Sequence, residues 1–110
     1  MEIVAVIDFE TTGLSPAMGD RATEIAAVKM EDGKVVDRYQ SLVNAGLRIP
    51  SYIEALTGIS DAMIRKAPKT AEVMQEVCDF VGDYPLVTHN ASFDCKFWDG
   101  ELARINRTRP

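Results

Sequence analysis

Apolar residues run without a break from Ile3 to Ile7 and give way to Asp8. A continuous run of that kind predicts a central strand covered on both faces, and Thr11-Thr12-Gly13 then stops it. Ala22 to Met30 contains Ile25, Ala26, Ala27 and Val28, and Val35 to Val43 is rich in β-branched and aromatic residues. Between these runs Glu31-Asp32-Gly33-Lys34 carries an Asp-Gly turn signal, so the two pair as an antiparallel hairpin and the chain opens with a meander of three strands.

Asn44 to Pro68 contains Gly46, Pro50, Gly58 and Pro68 with only short periodic pieces, which predicts a loop-rich crossover with a short helix around Tyr52 to Leu56. A longer helix follows. Thr70 can cap it, Glu72 lies in its first turn, and Gly82 can close it, while Val73, Met74, Val77, Cys78 and Val81 form an apolar stripe. Pro85 to His89 reads as a short strand, and because a helix separates it from the earlier strands it belongs parallel to the first. From Phe93 or Asp94 the pattern is helical again, with Trp98, Leu102 and Ile105 on one face. The order β-β-β-α-β-α defines an α/β domain with a mixed sheet, an antiparallel three-strand meander plus one parallel strand.

The 110 residues fit one domain, and 46% hydrophobic with 26% charged residues is the balance of a chain that buries a core, which excludes disorder, collagen and coiled coil. No apolar run approaches a membrane span, and Glu2 stands where a signal peptide would carry bases, so a cytoplasmic location is expected. Cys78 and Cys95 cannot form a disulfide framework and read as small hydrophobes. The net charge of −5 excludes binding of nucleic acid by a uniformly basic face. It leaves open a phosphodiester substrate, because cations held by carboxylates can supply the positive charge at a phosphate.

Carboxylates do gather. Asp8 and Glu10 are two residues apart at the end of the first strand, and strand alternation puts both on one face. Asp94 follows the short parallel strand and therefore lies at the same carboxyl edge, where open α/β sheets place their sites. Three such groups repel one another unless a cation is bound, and an oxygen-only donor set favours Mg²⁺ or Mn²⁺. Glu24 reads as an exposed strand-end acid, and Phe97 and Trp98 as core. Arg104, Arg107 and Arg109 read as a solvated helix end, and His89, the single histidine, as a strand-end structural residue.

Val6-Ile7-Asp8-Phe9-Glu10-Thr11-Thr12-Gly13-Leu14 resembles the first motif of the DEDD 3′→5′ exonucleases, and His89-Asn90-Ala91-Ser92-Phe93-Asp94 resembles the second. Ile49-Pro50 through Leu56-Thr57-Gly58-Ile59 to Ala67-Pro68 is similar to the joining segment in the branch that contains the proofreading epsilon subunits of bacterial DNA polymerase III. The resemblance implies a ribonuclease H-like exonuclease fold. It also implies Asp8, Glu10 and Asp94 as catalytic metal ligands for two Mg²⁺ or Mn²⁺ ions, and Thr11, Thr12, Leu56 and Thr57 as contacts to a substrate 3′ end. The family's third motif, a histidine followed five residues later by an aspartate, has no counterpart before Pro110, so residues 1–110 read as the N-terminal portion of one exonuclease domain with its C-terminal part missing.

The implied activity is metal-dependent removal of nucleotides from DNA 3′ ends, weak or absent in these 110 residues by themselves. An RNA-trimming exonuclease and a non-catalytic interaction module are the alternatives. Expected partners are a single-stranded DNA or RNA 3′ end and DNA polymerase III subunits, with no membrane. An uncovered edge at Leu86-Val87 further predicts that copies of the chain associate as a homodimer.

Overall fold

The computed structural model describes residues 2–110. Its centre is a four-stranded sheet in the order β3-β2-β1-β4, made of β1 (Ile3–Thr11), β2 (Ala22–Glu31), β3 (Lys34–Leu42) and β4 (Leu86–Val87). The first three strands form the antiparallel meander, and β4 joins β1 in parallel through Ala5 opposite Leu86 and Val6 opposite Val87. Asp32 and Gly33 both have positive φ, 52° and 77°, the backbone that a tight hairpin between β2 and β3 requires. The mixed α/β class expected from the sequence is therefore the observed one.

Helices α1 (Ser51–Thr57), α2 (Asp61–Arg65), α3 (Thr70–Val81) and α4 (Ala91–Ala103) complete the chain. The helices α3 and α4 pack on one face of the sheet. Ala5, Ile7, Phe9 and Ile25 meet Val73, Met74, Val77, Phe97, Trp98 and Leu102 there in one buried cluster. A smaller cluster of Ile49, Ile53, Ile59 and Ile64 holds α1 and α2 together. Among the described residues no helix is long and apolar enough to cross a membrane.

Several local expectations shift. The first strand continues through Asp8 to Thr11, and it is covered on one face only: Ala5, Ile7 and Phe9 are buried, whereas Val4 and Val6 are half-buried and Asp8 is exposed. All-apolar composition marked a strand without revealing that its second face lies open. The crossover contains α2, whose five residues are too few to show a periodic stripe; Ser60 caps it by accepting from the Met63 amide. Thr70 is the first residue of α3 and not its cap, because its hydroxyl is taken by Arg21. The helix α4 starts at Ala91, earlier than the apolar pattern, since Asn90 caps it by accepting from the Phe93 amide. His89 falls in an exposed bend beyond β4, which is only two residues long.

Candidate active site

Strand alternation places Asp8 and Glu10 on the face of β1 away from α3 and α4, as their spacing requires. Asp94 reaches the same strand from the first turn of α4. The amide of Ala5 donates to Pro85 O at 2.8 Å on the β4 side. Four residues on, the Phe9 amide faces the same side after β4 has ended, and the Asp94 carboxylate takes the place of the missing strand: Phe9 N donates to Asp94 Oδ1 at 3.2 Å. Asp94 is buried, and a helix's first turn suits an anion.

The electrostatics of these acids are coupled. Burial raises the Asp94 carboxyl above its ordinary 3.8; the Phe9 amide pulls the other way, the Asp8 charge adds to the rise, and the nearby His89 opposes it. Burial also lifts Glu10 above 4.5, followed by the charges of Asp8 and Glu24. Glu24 is the departure here from the sequence reading. It stands directly opposite Glu10 on β2, half-buried, and its Oε2 accepts from Gln40 Nε2 at 2.8 Å. The signal was present: a strand paired antiparallel to β1 must bring some residue across from Glu10.

Among the described residues no three His, Cys, Asp or Glu side chains converge tightly enough to cage a metal ion. Asp8, Glu10 and Asp94 are instead neighbours whose charges oppose one another, carried on a strand and on the helix turn bonded to it. As a donor set they are oxygen-only and anionic, which fits Mg²⁺ or Mn²⁺ and does not fit a thiolate-preferring metal.

Beside Glu10 opens a mainly apolar cleft of about 670 Å³ between the end of β1 and α1. Of the four expected substrate contacts, Thr11, Leu56 and Thr57 line it, and Thr12 lies outside the lining. The Thr12 hydroxyl donates to Asp20 Oδ1 at 3.1 Å and accepts from the Arg21 amide at 3.1 Å, so it fastens the turn. Thr11 donates to Gly13 O, and Thr57 donates to Ile53 O while accepting from the Ile59 amide. Sequence reasoning missed Leu14, Met18 and Tyr52, which also line the cleft although they are large, apolar and exposed.

The turn that carries Leu14 and Met18 is held on both sides. Asp20 Oδ2 accepts from the Ser15 amide at 3.1 Å, and Lys96 Nζ on α4 donates to Leu14 O at 3.1 Å. A side chain at Gly13 would collide with the Asp20 carboxylate, so the tight approach needs glycine there. Behind the turn lies a second group that the sequence reading did not find. Arg21 Nε and Nη2 grip the buried Glu101 carboxylate at 2.9 to 3.1 Å, and Glu101 Oε2 also accepts from the Ala22 amide at 2.9 Å. Arg21 Nη2 continues to the Thr70 hydroxyl at 3.2 Å, which joins β2, α3 and α4 at one point. Glu101 sits three residues after Trp98 and four before Ile105, on the apolar stripe of α4; an acid there was the available signal.

A family model described as exonuclease (RNase_T) matches residues 5–110, and the chain belongs to that family. The PolC-type DNA polymerase III of Bacillus cereus is 45% identical over 96 residues, covering 87% of this chain and 7% of the relative. The 3′-5′ exonuclease DinG of Bacillus subtilis is 41% identical over 105 residues, covering 96% of this chain and 11% of that protein. The chain thus spans about a tenth or less of the length of these relatives. Escherichia coli exonuclease I, solved with a dT13 oligonucleotide, superposes with a TM-score of 0.82 at 19% identity over 94% of this chain and 24% of its own. That agreement establishes the ribonuclease H-like exonuclease fold.

Proposed function

We propose that this domain removes nucleotides from the 3′ end of single-stranded DNA, with Asp8, Glu10 and Asp94 holding Mg²⁺ or Mn²⁺ beside the scissile phosphate. The observation that carries the reading is the Phe9 to Asp94 hydrogen bond, which ties the acid of one motif to the strand bearing the other two. Divalent ions bound there would polarise the phosphate and lower the pKa of an attacking water. The chain's own residues do the rest. Asp8 lies near both other acids and is the candidate shared ligand; Glu10 and Asp94 flank it. The apolar walls at Leu14 and Leu56 accept a terminal base by contact, without reading its identity.

DNA is favoured over RNA by the company the chain keeps: the relatives include DNA polymerases of the PolC type, and the solved exonuclease I structures hold dT13 and dA16 oligonucleotides. The PolC-type relatives support a proofreading role beside polymerase III subunits. His89, the one histidine of the 110 residues, is exposed, which supports the reading that these residues by themselves turn over slowly.

Binding tests this reading independently of turnover. In Mn²⁺, a labelled single-stranded DNA with a free 3′ hydroxyl should bind more tightly than the same strand with a 3′ phosphate, and Leu56→Asp should abolish the difference. Equal binding of both ends by the unaltered chain would refute 3′-end recognition, and tighter binding of the matching RNA would move the substrate to RNA.

A further inference from the structure

Away from the cleft, the surface charge changes sign. One cavity of about 550 Å³ is lined by Arg21, Lys69, Thr70 and Arg104, and a smaller one of about 200 Å³ by Arg48, Asp61, Ile64 and Arg65. The two adjoin, because Asn44 and Gly46 line both. This shared loop is pinned in place: the Asn44 amide donates to Pro68 O at 2.8 Å, Asn44 bridges Lys69, and Asn44 Oδ1 accepts from the Gly46 amide. The walls therefore carry five cations in a chain whose net charge is −5.

Few acids answer them. Glu101 pairs with Arg21, and among the described residues Asp61 is the one acid lining the two cavities, against five cations; it makes no ion pair there and its Oδ1 accepts from the Ile49 amide. Among the described residues Arg48, Arg65, Lys69 and Arg104 are exposed and make no ion pair, whereas of the neighbouring arginines Arg107 bonds Gln75 and Arg109 pairs with Asp99. Exposed cations left unpaired in an acidic chain are solvated at no great cost. Their concentration along one pinned groove is what calls for a polyanion.

The groove and the cleft lie against the same small isoleucine cluster. Ile53 lines the cleft, Ile64 lines the smaller cavity, and the two belong to one packed group with Ile49 and Ile59. We propose that this groove holds the sugar-phosphate backbone of a nucleic-acid strand whose 3′ end lies in the cleft. The inference rests on the reading of the cleft as a 3′-end site and adds where the upstream strand runs. Side chains of this kind contribute position and affinity, not base specificity.

The test uses the whole chain and two probes, a dinucleotide with a free 3′ hydroxyl and a thymidine strand of about 15 nucleotides, within the span of known single-strand sites. Affinities are read by fluorescence anisotropy between about 50 and 200 mM salt, where each phosphate contact on a single strand contributes about 0.7 to the slope of log K against log salt. Arg48→Ala with Arg65→Ala should flatten the slope for the long strand by about 1.4 and leave the dinucleotide unaffected. The control, Lys34→Ala with Arg38→Ala on the exposed β3, should change neither. An unchanged slope in the groove variant, or an equal loss in the control, overturns the groove while leaving the cleft reading intact. Failure of the unaltered chain to bind either probe overturns both. Poly-glutamate binding that depends on Arg48 and Arg65, with DNA binding unaltered, would assign the groove to an acidic protein and overturn the proposal.

Discussion

The amide of Phe9 and the carboxylate of Asp94, 85 positions apart in sequence, are joined by a hydrogen bond of 3.2 Å. That bond extends the backbone ladder of β1 past the end of β4 and uses a side chain to do so. It also fixes the distance between a strand that carries Asp8 and Glu10 and the helix that begins within the second motif. An element only two residues long thus organises the site by stopping early.

The Arg21–Glu101 pair should be a principal stabiliser of this arrangement. Its side chains are only 12% and 2% exposed, so Glu101→Ala leaves a buried guanidinium without its partner, at a cost of about 3–5 kcal/mol. Urea denaturation measures it. A loss below about 1 kcal/mol, the range of exposed ion pairs, would show that the pair is dispensable.

The acids of the site should penalise the metal-free fold at neutral pH. Glu10 and Asp94 have folded pKa values raised above 4.5 and 3.8, so the folded state holds protons that the unfolded state has released. Stability must then fall as pH rises from those ordinary values through the raised ones. With chelator present, Glu10→Gln should gain stability over the unaltered chain at pH 7 and lose that advantage on acidification below about 4. A variant advantage that grows on acidification would reverse the sign and contradict the cause.

Much of this was legible in the chain. Alternation, the Asp-Gly turn and the stripe of α3 placed the sheet and its order, and the spacing of Asp8 and Glu10 put both on one face of β1, the strand to which Asp94 is bonded. The open face of β1 was not legible, since Val4 and Val6 read alike whether or not anything covers them. Helix α2 is too short for periodicity, and its start is set by the Ser60 cap. The Arg21–Glu101 pair joins residues 80 apart, a relationship that only the packing of α4 against β2 creates. Leu14, Met18 and Tyr52 carry no local mark of their role; they matter because two segments bring them to one cleft.

Turnover by the 110 residues alone should be slow. Lack of a positioned general base costs roughly 10² to 10⁴ in rate. Single-turnover digestion of a 5′-labelled strand in Mn²⁺ reads it. Digestion at the rates typical of enzymes, on the order of 10 per second, and abolished by His89→Ala, would instead make His89 the base.

The strand β4 leaves an edge with Val87 48% exposed beside half-buried Leu86. Such an edge can pair with another copy, and at physiological salt the net charge of −5 acts over only about 8 Å. Light scattering over a dilution series should show mass rising with concentration, and Val87→Lys should suppress it. A monomer at every concentration would show that the edge is protected in solution.

The proposed divalent-metal site at Asp8, Glu10 and Asp94 is read by Mn²⁺ binding followed by electron paramagnetic resonance. Even outer-shell partners of a metal are worth roughly 10- to 100-fold in affinity, so Asp8→Ala and Asp94→Ala should each weaken binding by at least that much at pH 7, while Asp37→Ala on β3 leaves it unchanged. Binding of Mn²⁺ that is equally strong in the unaltered chain and in both site variants would contradict the account.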